Sequence, residues 1–162
     1  MVSAGHGPVL ESWVDMENKV LLILTGDDNG SAEESAFSYA KSTSKTLTVL
    51  QILTSNLYHY GHHDVIATRP TKRQFLLYIR DEVLGRAQAK ATTLMDRARE
   101  QGIGLEILSV ESEDASSVAV NEARKGYDVI FVSDKKRPLF PLFEKTLAQH
   151  LQKKTTNKII RC

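Results

Sequence analysis

The chain has 162 residues, of which 41% are hydrophobic and 25% charged, and its formal net charge is +1. That length and balance fit one globular domain with a sizeable core, and the near-neutral total removes any whole-molecule argument for nucleic acid or an anionic membrane. The only cysteine is Cys162, which excludes an internal disulfide or a multi-cysteine metal site and fits a reducing cytosol.

Residues 1–17 read as a flexible lead-in, with glycines, a proline and early polar residues and without the basic start and apolar middle of a secretory signal. Trp13 and Val14 are its candidates for docking on the body or on a partner. No apolar run reaches the roughly 18 residues needed to span a bilayer. The domain proper is placed at 18–162. "KVLLILTG" from Lys19 is a continuous apolar run ending in a turn signal, as expected of a strand buried on both faces. A helix follows, with Ser31 as its expected N-cap, Glu34 completing a capping box, and Ala32, Ala36, Tyr39 and Ala40 at helical spacing. "TLTVLQIL" from Thr46 is the second strand and closes a βαβ unit whose crossover should be right-handed.

An irregular connection of about twenty residues comes next, a length that inside a compact domain marks functional or mobile segments. The longest helical pattern runs from about Lys72 to Gln101, with Leu76, Ile79, Val83, Ala87, Ala91, Leu94 and Ala98 repeating every three to four residues. Phe75 and Met95 are also read as packing, and Gly102 as the C-terminal cap. "LEILSVES" is the third strand, and a shorter helix follows, capped by Asp114 or Ser116. "DVIFVS" is the fourth strand, "LFEKTLAQHLQKK" the last helix and "NKIIRC" a terminal strand. This alternation predicts a single-domain α/β fold, a mostly parallel five-stranded sheet with helices on both faces in the Rossmann-like manner. Ligands of such sheets bind beyond the strand carboxyl ends where the strand order reverses. That places the crevice at Thr25, Gly26 and Asp27 and at Ser133, Asp134 and Lys135.

From about Asn18 to Arg161 the chain resembles the universal stress protein (UspA-like) family, an adenine nucleotide alpha hydrolase-like fold. "KVLLILTGDDNGSAEESAFSYAKS" is similar to the family's opening strand, turn and helix. "AKATTLMDRAREQGIGLEILSVESEDASSVAVNEARKGYDVIFVS" is similar to its long helix, third strand, small-residue helix start and fourth strand. Nucleotide-binding members carry Gly-x-x-Gly, about nine residues, then Gly followed by Ser or Thr. The glycine positions here hold Ser133, Lys136 and, after a one-residue gap, Lys145, with Thr146 retained. The aspartate that often ends the family's first strand is Thr25. Glycines in a phosphate loop permit positive φ and leave room for phosphate oxygens beside backbone N–H groups. Pro138 and Pro141 remove two further donors. The expectation is therefore no ATP held in the family's usual way, and no cofactor.

"HYGHHD" offers His59 and His63 at i, i+4 as candidate zinc or nickel ligands, but Gly61 argues against a helix and the segment reads as a solvated polar loop. "KKRPLFPLFEKT" reads either as an exposed anchor for an acidic partner or membrane surface, with Phe140 the exposed residue, or as Phe143 packed beneath the last helix among solvated lysines. The segment from Ser133 to Cys162 holds eight basic and two acidic residues, so the positive charge is concentrated at that end. "SEDASS" is explained by helix capping rather than catalysis, and no catalytic constellation appears. "RPTKRQFLLYIR" interleaves basic and aromatic residues but carries no recognised RNA-binding signature, so no nucleic-acid partner is expected. The function expected is a cytoplasmic, non-enzymatic regulatory domain of the stress response that acts by contacts with a protein partner. The family resemblance implies a homodimer through Lys158, Ile159, Ile160 and Arg161. The alternative is a small-molecule or nucleotide sensor, or a weak ATPase, using Thr25, Gly26, Asp27, Ser133, Asp134, Lys135 and Thr146.

Overall fold

The computed structural model of the protein describes residues 19–25, 30–53, 69–133 and 146–162. Within them, β1 (Lys19–Thr25), β2 (Thr46–Leu53), β3 (Leu105–Glu111), β4 (Val129–Val132) and β5 (Lys158–Arg161) form a parallel sheet in the order β3-β2-β1-β4-β5. The helices are α1 (Gly30–Thr43), α2 (Arg69–Gln101), α3 (Ala115–Ala123) and α4 (Leu147–Lys154). The element order and the parallel sheet are those that the alternation of the sequence predicts.

The apolar runs of β1, β2 and β4 are continuous because both of their faces are covered. Val20, Leu22 and Leu24 of β1 meet Ala32, Ala36, Phe37 and Ala40 of α1 and Leu94 and Ala98 of α2. Leu21 and Ile23 point the other way, to Ala119, Val120 and Ala123 of α3 and Ala148 and Leu151 of α4. Burying a Leu, Ile or Phe side chain is worth about 1.5–3 kcal/mol, so stability is concentrated in these three strands. The edge strands β3 and β5 are only half covered.

Charged side chains tie α1 to the C-terminal half of α2. Arg97 donates to Glu34 at 2.8 Å and lies 4.3 Å over the Phe37 ring, and Lys90 pairs with the nearly buried Glu33 at 2.6 Å. This arrangement holds Glu34 below the usual carboxylate range, chiefly through the Arg97 hydrogen bond. Buried Gln51 on β2 accepts from Ser109 of β3 at 2.9 Å.

At 33 residues and about 1.5 Å per residue, α2 is about 50 Å long, whereas a seven-residue strand spans about 23 Å. Arg80 bridges to Glu111, the last residue of β3, at 3.1 Å, and Arg80, Val83 and Leu84 surround a small space beside Leu53, the last residue of β2. The turns before Arg80 therefore overhang the carboxyl edge of the sheet.

Three sequence expectations are corrected here. α1 begins at Gly30, so Ser31 lies inside its first turn and is not the cap. α2 begins at Arg69, three residues before the expected start, with Pro70 in the first turn, where its missing N–H costs nothing. Phe75 and Met95 are not core: they are 47% and 51% exposed, on the overhang and on the outer side of α2. Asp114, not Ser116, caps α3, accepting from the Ser117 backbone. The hydrogen bond from the Ser117 hydroxyl, and after it the backbone one, holds the Asp114 carboxyl below the usual range. The expected lead-in at 1–17, His59 and His63, and Phe140 and Phe143 lie outside the described residues.

Candidate functional site

The chain leaves β1 toward β2 and β3 on one side of the sheet, while β4 and β5 lie on the other, so the order reverses between β1 and β4. The two strands pair in parallel with Ile23 opposite Val132. Ser133 is then level with Leu24, and Thr25 stands one residue beyond it at the carboxyl edge. Thr25 and Ser133 are thus brought to adjacent strand ends, as the sequence predicts. Gly26, Asp27, Asp134 and Lys135 lie outside the described residues.

The Ser133 hydroxyl is enclosed and, among the described residues, has no hydrogen-bond partner. An enclosed hydroxyl is ordinarily satisfied, so among the described residues at the strand ends this atom stands out as unbalanced. Thr146 is the N-cap of α4. Its hydroxyl accepts from the Gln149 backbone N–H at 3.3 Å, and its own N–H donates to Gln149 Oε1 at 3.2 Å. A β4-α4-β5 crossover starts its helix at the carboxyl edge, so Thr146 stands on the crevice side with its backbone N–H and one lone pair of its hydroxyl engaged in a capping box. The signal for this was present in the sequence as Thr146-Leu-Ala-Gln149, a Thr-x-x-Gln pattern.

The amino edge is a different environment. Asp128 accepts from Lys45 at 2.6 Å and from Tyr39 at 3.1 Å, and the Lys45 hydrogen bond holds its carboxyl below the usual range. Tyr127 donates to Glu122 at 2.6 Å, and burial followed by this bond raises the phenol far above its ordinary range. Lys125 pairs with the same carboxylate at 2.7 Å. These groups fasten α1, α3 and β4 together, and none reaches the strand carboxyl ends.

Beyond β4, the short strand β5 closes the sheet and pairs only with β4 among the described residues. Cys162 N–H donates to Val132 O, and alternation along the strand then turns the Ile159 N–H away from β4, toward the open edge. A shallow groove of about 350 Å³ runs beside it, lined by Gln149, Gln152, Lys153 and Arg161. Among the described residues, no group of three or more His, Cys, Asp or Glu side chains is placed to hold a metal ion, and no helix is long and apolar enough to cross a membrane.

No family model and no curated protein matches the sequence. Solved structures do match the fold. A protein of the universal stress protein family from Burkholderia pseudomallei superposes with a TM-score of 0.63 over 91% of this chain and 96% of that one, at 16% identity. The universal stress protein UspA from Lactobacillus plantarum gives a TM-score of 0.63 over 90% and 97%, at 12% identity. The chain has the universal stress protein fold. A further structure with this fold, a universal stress protein from Archaeoglobus fulgidus in complex with dAMP, matches with a TM-score of 0.58 over 90% and 98%, at 11% identity. At the two positions compared, Thr25 supplies no carboxylate, and the Thr146 hydroxyl accepts from the Gln149 backbone.

Proposed function

We propose that the chain is a non-enzymatic regulatory domain of the universal stress type, working as a homodimer through protein contacts and without ATP. The observation that carries the reading is the outer edge of β5, which pairs with no second strand among the described residues and turns the Ile159 N–H away from β4. A strand with a free row of backbone donors and acceptors is a ready template for pairing, and a second β5 related by a twofold axis would satisfy it. Thr25 in place of a carboxylate supports the negative half of the proposal, and at Thr146 a phosphate oxygen would have to compete with Gln149 Oε1 for the backbone N–H. Light scattering tests the dimer. Ile159→Pro removes the outward donor while keeping the bonds to β4, and it should convert dimer to monomer; a variant that stayed dimeric would refute pairing through β5. Calorimetric titration with ATP and AMP at low salt tests the rest, and sub-millimolar affinity would overturn it.

Ser133 favours a second reading. An enclosed hydroxyl without a partner at the switch point is a group that a ligand could satisfy. On that reading the crevice takes a small molecule or a nucleotide, as the Archaeoglobus protein takes dAMP. It would do so through Ser133 and Thr25 with Gly26, Asp27, Asp134 and Lys135, as a sensor or a weak ATPase. The same titration decides between the readings, with Ser133→Ala expected to abolish any binding that is found.

A further inference from the structure

The exposed large apolar side chains of the described residues all lie on one helix: Phe75 (47% exposed), Leu77 (50%), Tyr78 (64%), Leu84 (40%) and Met95 (51%), all on α2. Four of the five fall between positions 75 and 84, and Phe75, Leu77 and Tyr78 precede Arg80, on the overhang beyond the described strand ends. Apolar side chains gathered this densely on an exposed helix mark an interaction surface.

The charges around them say what fits. Arg73, Leu77, Asp81 and Leu84 are exposed, recur at helical spacing and form one stripe along the side of α2, with Leu84 also bordering the space beside Leu53. Arg80 and Arg86 are engaged within the chain, by Glu111 and Glu82. Among the described residues, Arg73 and Asp81 have no ion-pair partner. They stand four residues before and four after Leu77, about 6 Å along the helix in each direction. A twofold axis through Leu77, perpendicular to the helix, would bring Arg73 level with Asp81 of the partner subunit, and the partner's Arg73 level with Asp81. The stripe is complementary to itself when run antiparallel.

We propose that this stripe is a second self-association surface, on which α2 of one copy packs antiparallel against α2 of another, with Leu77 on the axis and Tyr78 and Leu84 beside it. The occupant is a second copy of this chain rather than RNA. Two carboxylates, Asp81 and Glu82, sit among the aromatics, and two of the nearby arginines are already neutralised by Glu111 and Glu82. The surface is independent of the β5 edge, because α2 packs over β2 and β3 at the opposite end of the strand order.

The test uses the full chain with Cys162→Ser. Leu77→Cys should form an intermolecular disulfide under mild oxidation, since a residue on a twofold axis meets its own copy, whereas Met95→Cys, exposed on the same helix but far from the axis, should not. Leu77→Asp should lower the mass in light scattering at least twofold whether or not β5 also pairs, so failure of the β5 reading leaves this test intact. Arg73→Asp and Asp81→Arg should each weaken association about tenfold, and the double exchange should restore it. Cross-linking at 95 but not 77, a mass unmoved by Leu77→Asp, or no rescue by the double exchange would overturn the proposal. So would single-stranded RNA bound by a wild-type chain whose mass is indifferent to Leu77→Asp.

Discussion

Ser133→Ala gives opposite results according to whether the crevice between β1 and β4 is engaged. In the folded chain the hydroxyl is enclosed without a partner among the described residues, while in the unfolded chain water satisfies it. Stranding a polar group in this way costs about 1–3 kcal/mol. Alanine removes that cost and leaves only a small void, so the net effect is a gain of about 1 kcal/mol, or roughly fivefold in the ratio of folded to unfolded chain. For a chain of this length that raises the melting temperature by about 2–4 °C. Urea unfolding followed by circular dichroism would report it as a higher midpoint at unchanged slope. Ser109→Ala is the control. Its hydroxyl donates to buried Gln51 at 2.9 Å, so the same chemical change should destabilise by about 1–3 kcal/mol. If Ser133→Ala also destabilised by a kilocalorie or more, the hydroxyl would have a partner in solution, and the case for an idle crevice would fail.

Thr146→Ala removes the capping box of α4 and should cost about 0.5–2 kcal/mol with no effect on nucleotide titrations, whereas a change in nucleotide affinity would place Thr146 in a binding site after all. Gly85 sits in the exposed interior of α2 with open space where a Cβ would be, so Gly85→Ala should stabilise by about 0.8–1 kcal/mol, read as a raised melting temperature. The Asp128 carboxyl is held below its ordinary value by Lys45 and Tyr39, so its contribution is present above the unfolded value of about 3.9 and lost as pH falls through the folded value. Asp128→Asn should therefore be less stable than the parent at pH 7, and the difference should shrink as pH falls below about 3.9 toward the folded value; urea midpoints whose separation did not shrink on acidification would contradict this.

The strands were legible because their physics is local. "KVLLILTG" and "TLTVLQIL" are short runs rich in apolar and β-branched residues, as suits strands covered on both faces, and alternation with helices then points to a parallel sheet. The order reversal between β1 and β4 follows from that pattern, so Thr25 and Ser133 could be placed beside each other without coordinates. The state of the Ser133 hydroxyl could not, because satisfaction of a hydroxyl depends on groups distant in sequence. Spacing misled on α2 for a related reason. A three-to-four repeat states which residues share a face of a helix, but not how far the sheet beneath it extends. Phe75 lies past the end of β3 and Met95 on the outer side, and neither fact is encoded in the period. The cap of α4 lay in the sequence as Thr146-x-x-Gln149.

The two proposed self-association surfaces differ in what holds them, and that difference is measurable. Pairing through β5 rests on main-chain hydrogen bonds, which salt leaves largely intact. Pairing through α2 places two exposed Arg73–Asp81 contacts across its axis, each worth about 0.2–1 kcal/mol at low salt. Together they account for roughly 2- to 30-fold in dissociation constant. At 1 M salt the screening length falls to about 3 Å and most of this is lost. Two distinct twofold surfaces on one chain build a closed four-chain particle if their axes intersect at right angles and an open string if the axes do not intersect. Light scattering across salt concentrations should therefore show one association step that weakens with salt and is removed by Leu77→Asp, and another that is indifferent to salt and is removed by Ile159→Pro. A salt-sensitive step that survived Leu77→Asp would mean that the charges of another surface, such as the basic α4, were responsible.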